Sequence, residues 1–302
     1  MTTTVFIEYL DKYNYKNEYY SNNVLSFLDS INIKTRVDKD RIYPFSNKAE
    51  SVKKAYEFAL NKYKVKIILN SYIKNIDLVN DKYNILGTYY DYVILATGGK
   101  VGCIYNGYSL VEDLKIKCSK LYPALVGFKV REKITSLDGV RMLGEVSCGL
   151  FKEIGEVQFK KDGISGIVIM NLSRIVNEGI IQINFGLGIE KSYFYENTKE
   201  KVLSMFPIKL AQWILESDNI IENIYNMKFN IRSDYGFEQA QITKGGILMD
   251  ELNEGFELKK YKNLYAIGEL IDVDGECGGY NIHNAIASGL ISGKYILNKI
   301  VK

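Results

Sequence analysis

Residues 264–293 constrain this chain more than any other stretch: LYAIGELIDVDGECGGYNIHNAIASGLISG. A short apolar run, Leu264 to Ile267, ends in Gly268-Glu269. An acidic, glycine-dense loop follows, and then an apolar stretch studded with Ala, Ser and Gly. That order spells strand, loop, helix. It sets mobile backbone and a helix start at the carboxyl end of a strand, where open α/β sheets bind ligands. A helix start offers unpaired N–H groups and about half a positive charge. Gly275, Gly278 and Gly279 carry no Cβ, so a large flat or anionic ligand can approach their backbone.

The rest of the composition narrows the field. At 302 residues and 47% hydrophobic, the chain is long enough for one large domain or two smaller ones, each with a core. The net charge of +3 comes from interspersed signs, which argues against nucleic acid or a membrane surface as a partner. No apolar run reaches the eighteen or so residues of a spanning helix, and the first twenty residues lack a signal-peptide core. The expected location is the cytoplasm. Cys103, Cys118, Cys148 and Cys277 show no C-x-x-C or zinc spacing, so reduced thiols are expected, with Cys277 a small loop residue rather than a redox thiol. A single histidine, His283, excludes a histidine-cluster metal site.

Along the chain, residues 1–40 read as partly helical, with Val24, Leu25, Phe27 and Leu28 as a buried stripe. Ser46 or Asn47 is placed to cap a helix running to Tyr63. Val65 to Leu69 reads as a short strand, and 73–86 as a hairpin turning at Asn80-Asp81. Tyr92 to Ala96 is a continuous apolar run, expected for a strand buried on both faces. Between 106 and 237 short alternating segments appear, Ala124–Val130 and Ile180–Phe185 among them, with a helix over 199–215 split at Pro207. The expected architecture is α/β: a Rossmann-like domain built from 1–105 and 238–302, with an inserted, mainly antiparallel β substrate domain over 106–237.

Several catalytic templates fail. Gly163-Ile-Ser165-Gly166 lacks the spacing of a nucleophile elbow and reads as a tight turn of small residues. Gly186-Leu-Gly188 starts like a dinucleotide fingerprint, but Lys191 stands where the third glycine belongs. No phosphate loop and no aromatic-plus-basic stripe of an RNA surface is present in the sequence. Three segments survive: Ala96-Thr97-Gly98-Gly99, Thr243-Lys244-Gly245-Gly246-Ile247, and Gly268 to Asn281.

Here the chain resembles the BaiN/aminoacetone-oxidase type of flavoprotein, a two-dinucleotide-binding-domain family. The matching texts are Arg41-Ile42-Tyr43-Pro44-Phe45, ATGG at 96–99, Pro123-Ala124-Leu125-Val126, the stretch 155–166, TKGGI at 243–247 and GELIDVDG to GGYN at 268–281. Single matches are modest, whereas the collinear set spans nearly the whole chain. The resemblance implies FAD, with NAD(P)H as a candidate reductant. It assigns Gly268, Glu269, Asp272, Gly278, Gly279, Tyr280 and Asn281 to the flavin side, and Thr97, Gly98 and Gly99 to the adenosine–pyrophosphate side. ATGG by itself reads equally well as a plain strand-to-loop turn. No residue stands out as acid or base; Tyr280 and His283 qualify only by their place beside the implied flavin, and a structural role suits each better.

The chain departs from the family at its start. The glycine-rich βαβ unit that holds the FAD pyrophosphate is absent, a loss of about sixty residues judged from the usual size of such a unit. The loop after ATGG is also short. Three readings compete: a fragment or misassigned start, which is favoured; a separate polypeptide supplying the unit; or a degenerate, non-catalytic relative that no longer binds FAD. The expectation is a flavin-dependent oxidoreductase, or the larger part of one, passing hydride between FAD and a small amine, ketone or enone. Neither nucleic acid nor membrane is expected as a partner, and a second chain or self-association would cover the incomplete sheet.

Overall fold

In a computed structural model, which describes residues 21–38, 41–102 and 106–301, local signals and long-range pairing can be compared element by element. The chain divides into two compact units: Met1–Leu121 with Lys244–Lys302, and Tyr122–Thr243.

Among the described residues, the first element of the first unit is helix Ser21–Ser30, on which Val24 is buried and Leu25, Phe27 and Leu28 are half-buried. Residues 1–20 of the expected helical region, and Cys103, lie outside the described residues. Strands β1 (Thr35–Asp38) and β2 (Arg41–Pro44) pair antiparallel, Thr35 opposite Pro44. Helix Ala49–Lys62 follows. Its N-cap is Lys48 and no side chain caps it. Ser46 accepts from the Lys48 N–H at 3.2 Å instead, so the expected cap closes a turn just ahead of the helix. The expected strand over 65–69 does not form. That run has no regular secondary structure, and Val65, Ile67, Ile68 and Leu69 are exposed. Its β-branched residues suit a pleated surface, but strand propensity becomes structure only with a neighbour to pair.

Strands β3 (Asp77–Val79), β4 (Lys82–Ile85) and β5 (Thr88–Tyr90) form a three-stranded meander. The β3–β4 turn falls at Asn80-Asp81, both with positive φ (49° and 62°), as a two-residue turn matched to strand twist requires. Strand β6 (Val93–Leu95) buries Val93 and Leu95 but leaves Ile94 41% exposed. Burial on both faces is therefore corrected to burial on one, because β6 packs on the unit's core with that face alone. Helix Tyr108–Asp113 adds Val111 to the same core.

The second unit begins at β7 (Tyr122–Ala124), followed by β8 (Phe128–Val130), β9 (Arg141–Cys148), β10 (Phe151–Lys160), β11 (Gly163–Ser165), β12 (Ile180–Asn184) and β13 (Met227–Asp234). Strands β8 to β13 close an antiparallel barrel in the order β10-β11-β8-β13-β12-β9. Alternation makes this possible: Met227, Phe229 and Ile231 point into the core while Lys228, Asn230 and Arg232 face out. Gly163-Ile-Ser165 is a barrel strand rather than a tight turn. A Cβ on Gly163 would come within 2.1 Å of the Phe128 carbonyl, so only glycine lets β11 lie against β8. Two helices, Thr198–Met205 and Ile208–Leu215, meet at Pro207, whose missing N–H cannot continue the first. Strand β14 (Ile242–Lys244) pairs with β7.

Returning to the first unit, β15 (Leu264–Ala266) pairs parallel with β6, Leu264 opposite Val93 and Ala266 opposite Leu95. The long helix Tyr280–Val301 closes the unit, burying Ala287, Ser288 and Ser292. Among the described residues no helix is long and apolar enough to cross a membrane.

Candidate functional site at the carboxyl end of the parallel pair

The register of β6 and β15 decides where the glycine loops go. Leu95 and Ala266 are partners at the ends of their strands, and the ladder extends one bond further, from the Ile267 N–H to the Leu95 carbonyl at 3.0 Å. Loops 96–99 and 267–272 therefore leave the same edge of the sheet side by side. Segments separated by about 170 positions in the sequence supply one edge. TKGGI is adjacent to it: Ile247 bridges Ile271 in parallel, the Ile247 N–H donates to the Leu270 carbonyl at 3.0 Å, and the Asp272 N–H donates to the Ile247 carbonyl at 2.9 Å.

The turn Gly268-Glu269 is held from two sides. Its Gly268 N–H donates to Ser288 Oγ on the long helix at 3.0 Å, and Ser288 donates in turn to the Asn284 carbonyl at 2.7 Å. The Tyr108 hydroxyl donates to the Glu269 carbonyl at 3.3 Å. Burial raises the Tyr108 phenol well above its usual range, and Glu269, Cys118 and Asp272 add to the effect, so the hydroxyl stays a donor. Gly268 has φ +69°, a left-handed conformation that glycine adopts without strain.

The loop before the long helix is closed by Asn281. Its Oδ1 accepts from the Gly275 N–H at 2.8 Å and its Nδ2 donates to the Gly275 carbonyl at 2.9 Å. Tyr280 lies across the same loop. A Cβ on Gly275 would sit 2.5 Å from Tyr280 Cβ, and one on Gly278 would sit 3.1 Å from its ring and 3.6 Å from Arg41 Nε. Gly275 and Gly278 are thus spent largely on admitting Tyr280. Gly279 is exposed and borders an apolar cleft of about 630 Å³, lined also by Ile42, Tyr43, Pro44, Ile282 and Ile286. The arrangement offers a helix start favouring negative charge, a nearby guanidinium, and the half-buried carboxylates of Glu269 and Asp272 as acceptors for hydroxyl groups.

In the ATGG turn, Thr97 is exposed, Gly98 has φ +72° with open space where a Cβ would point, and Gly99 is buried. The Thr97 hydroxyl packs on Gly107, where a Cβ would meet it at 1.8 Å. His283 is 3% exposed, and burial lowers its pKa to about 4, so the imidazole is neutral at physiological pH. Four residues of this edge lacked a sequence signal of their own kind: Ser288 and Tyr108, which pin the turn, Gly107, which receives Thr97, and Arg41, beside Gly278. Only Arg41 could have been singled out, through its place in RIYPF.

A parallel strand pair with two glycine loops at its carboxyl edge, one of them held by the long helix through Ser288, has the arrangement at which Rossmann-type folds bind ligands. The chain belongs to the HI0933-like family: residues 11–295 match the description "HI0933-like protein Rossmann domain". It is 29% identical to the 3-dehydro-bile acid delta(4,6)-reductase of Clostridium scindens, over 89% of this chain and 78% of that protein. It is 24% identical to the ribosomal RNA dihydrouridine synthase of Haemophilus influenzae, over 80% of this chain and 71% of that protein. The Escherichia coli protein of the same name is 23% identical over 65% and 58%.

Proposed function

We propose that this chain is a flavin-dependent reductase that adds hydride to a carbon–carbon double bond conjugated to a carbonyl. The observation that carries the proposal is the shared exit of loops 96–99 and 267–272, the second of them held by Ser288 of helix Tyr280–Val301. Two features support FAD as the cofactor. Gly98 presents backbone with open space above it, and the helix start favours an anionic ring or phosphate. When bound, FAD supplies hydride transfer. The chain's own residues then bind and orient. Thr97, Gly98 and Gly99 would line the nucleotide side. Glu269 and Asp272 would accept hydrogen bonds from ribityl hydroxyls. Gly278, Gly279 and Tyr280 shape the rim, Asn281 holds the loop, and Arg41 balances negative charge. The barrel unit is read as the substrate-recognising domain.

The reaction class is supported by what the relatives' names have in common. A bile-acid delta(4,6)-reductase and a dihydrouridine synthase both saturate an alkene conjugated to a carbonyl. The first reading takes a small enone as substrate. A second reading, ribosomal RNA uridine, is favoured by the two synthase relatives. The test is to titrate the purified chain with FAD, follow quenching of flavin fluorescence, and then present the reduced complex anaerobically with a steroidal dienone or with ribosomal RNA. Saturable binding followed by flavin reoxidation with either substrate supports the proposal. A chain that never retains flavin refutes it.

A further inference from the structure

In a parallel pair each residue turns both its N–H and its carbonyl to one neighbour. The Val93 N–H donates to the Asn263 carbonyl at 3.0 Å, and the Leu95 carbonyl accepts from the Ile267 N–H, so Val93 and Leu95 are spent on β15. The N–H and carbonyl of Ile94 therefore point to the opposite edge of β6, which carries no strand among the described residues. A cleft of about 360 Å³ runs along that edge. Val93, Ile94 and Leu95 form one wall, and Ile73, Ile85 and Leu110 also line it. Parallel strands are normally covered, and an open edge is a template for another strand.

The same unit exposes a strand-prone run with nothing to pair. Val65, Ile67, Ile68 and Leu69 are 49, 57, 60 and 76% exposed. Among the described residues, no N–H from Lys66 to Asn70 donates to a backbone carbonyl. Left-handed Lys64 and Asn70 (φ 52° and 54°) bound the run at its two ends. None of residues 65–69 lines the cleft beside β6, so in its own copy the run stands clear of that edge.

We propose that residues 65–69 add as a strand to the open edge of β6 in a second copy of this chain, and that the exchange is reciprocal. Setting Ile68 opposite Ile94 places Ile67 and Leu69 beside Val93 and Leu95, whichever way the added strand runs. Val93 and Leu95 belong to the unit's core, so Ile67 and Leu69 enter the cleft on that face while the added main chain bonds to Ile94. Main-chain bonds plus pockets for alternate side chains are what strand addition requires. The occupant is a second copy because one molecule carries both the strand and the edge, and a two-fold exchange closes both. With Tyr72 and Ile94, the exposed side chains of the two copies would bury about 1,200 Å², the lower end of specific interfaces.

The test is sedimentation velocity of the full chain, without flavin, over a concentration series; a closed dimer is expected. Ile67→Lys/Leu69→Lys would drive charges into an apolar cleft and should raise the dimer dissociation constant by about a hundredfold or more. Ile67→Ser/Leu69→Ser should give a smaller loss in the same direction. Leu150→Lys/Leu297→Lys, which charges exposed leucines elsewhere, should stay within about twofold. Under mild oxidation, Ile68→Cys mixed with Ile94→Cys should give a disulfide-linked dimer that neither variant forms alone, because directly opposed residues lie within bridging distance. A monomer at every concentration, an open-ended polymer, a dimer unmoved by the changes at 67 and 69, or equal loss in the control overturns the inference. Flavin takes no part in the assay, so failure here leaves the reductase reading standing, and a chain that retains no flavin leaves the dimer standing.

Discussion

Because His283 is the chain's single histidine, its burial can be tested without ambiguity. Its pKa is lowered from 6.5 to about 4, with burial the main cause. In the unfolded chain the imidazole titrates near 6.5, so between pH 6.5 and 4 the unfolded state binds a proton that the folded state does not. By linkage, stability then falls as pH falls. The contribution is fully present above pH 6.5, about 2 kcal/mol of it is gone by pH 5, and about 3 kcal/mol by pH 4. Carboxylates also titrate in this range, so the assay compares wild type with His283→Gln in urea denaturation at half-unit steps from pH 7.5 to 4. The variant lacks the titrating group, and its stability should decline less steeply by those amounts. Selective ¹³C labelling of histidine gives the folded pKa directly from one resonance. Parallel stability curves for the two proteins, or a folded imidazole titrating at pH 6 or above, would refute the reasoning.

Two glycines of the site separate backbone strain from close packing. At Gly268 (φ +69°) the nearest atom to a Cβ is 3.7 Å away, so Gly268→Ala should cost only the left-handed strain, about 1–2 kcal/mol. At Gly246 a Cβ would meet the Leu270 carbonyl at 2.6 Å, so Gly246→Ala should displace residues 270–272, cost more, and weaken flavin binding where Gly268→Ala weakens it less; urea melts and FAD titration read both. Asn281→Ala removes both bonds to Gly275 and should cost about 1–3 kcal/mol, with faster amide exchange at Gly275; unchanged exchange would contradict the clamp. Ser288→Ala leaves the buried Gly268 N–H without its acceptor and should destabilise by a similar amount, whereas Ser288→Thr should retain part of the bond.

How much was legible beforehand depended on the range of the physical cause. Asn80-Asp81 announced a tight turn because those side chains tolerate positive φ. Pro207 announced a break because it has no N–H. The order of strand, glycine loop and helix over 264–301 was legible because each signal acts within a few residues. Val65–Leu69 misled, since its composition suits a strand but pairing must come from elsewhere. Ile94 misled too: a continuous apolar run says nothing about which face a neighbour covers. Tyr108 and Ser288 carried no sign that they converge on Gly268-Glu269, one reaching back from position 108 and the other folding down from the long helix.

The sequence alone therefore determined local conformation: where the backbone turns, where helices stop, and which loop is free to sit at a strand end. Only the tertiary structure decided what stands beside what. The register of β6 with β15 joined the two glycine loops, and closure of the barrel set β8 between β11 and β13, strands drawn from distant parts of the second unit. The reason is that φ/ψ preferences and missing donors act within a turn, whereas strand pairing is set by hydrogen bonds and packing between segments whose separation in the chain carries no local mark.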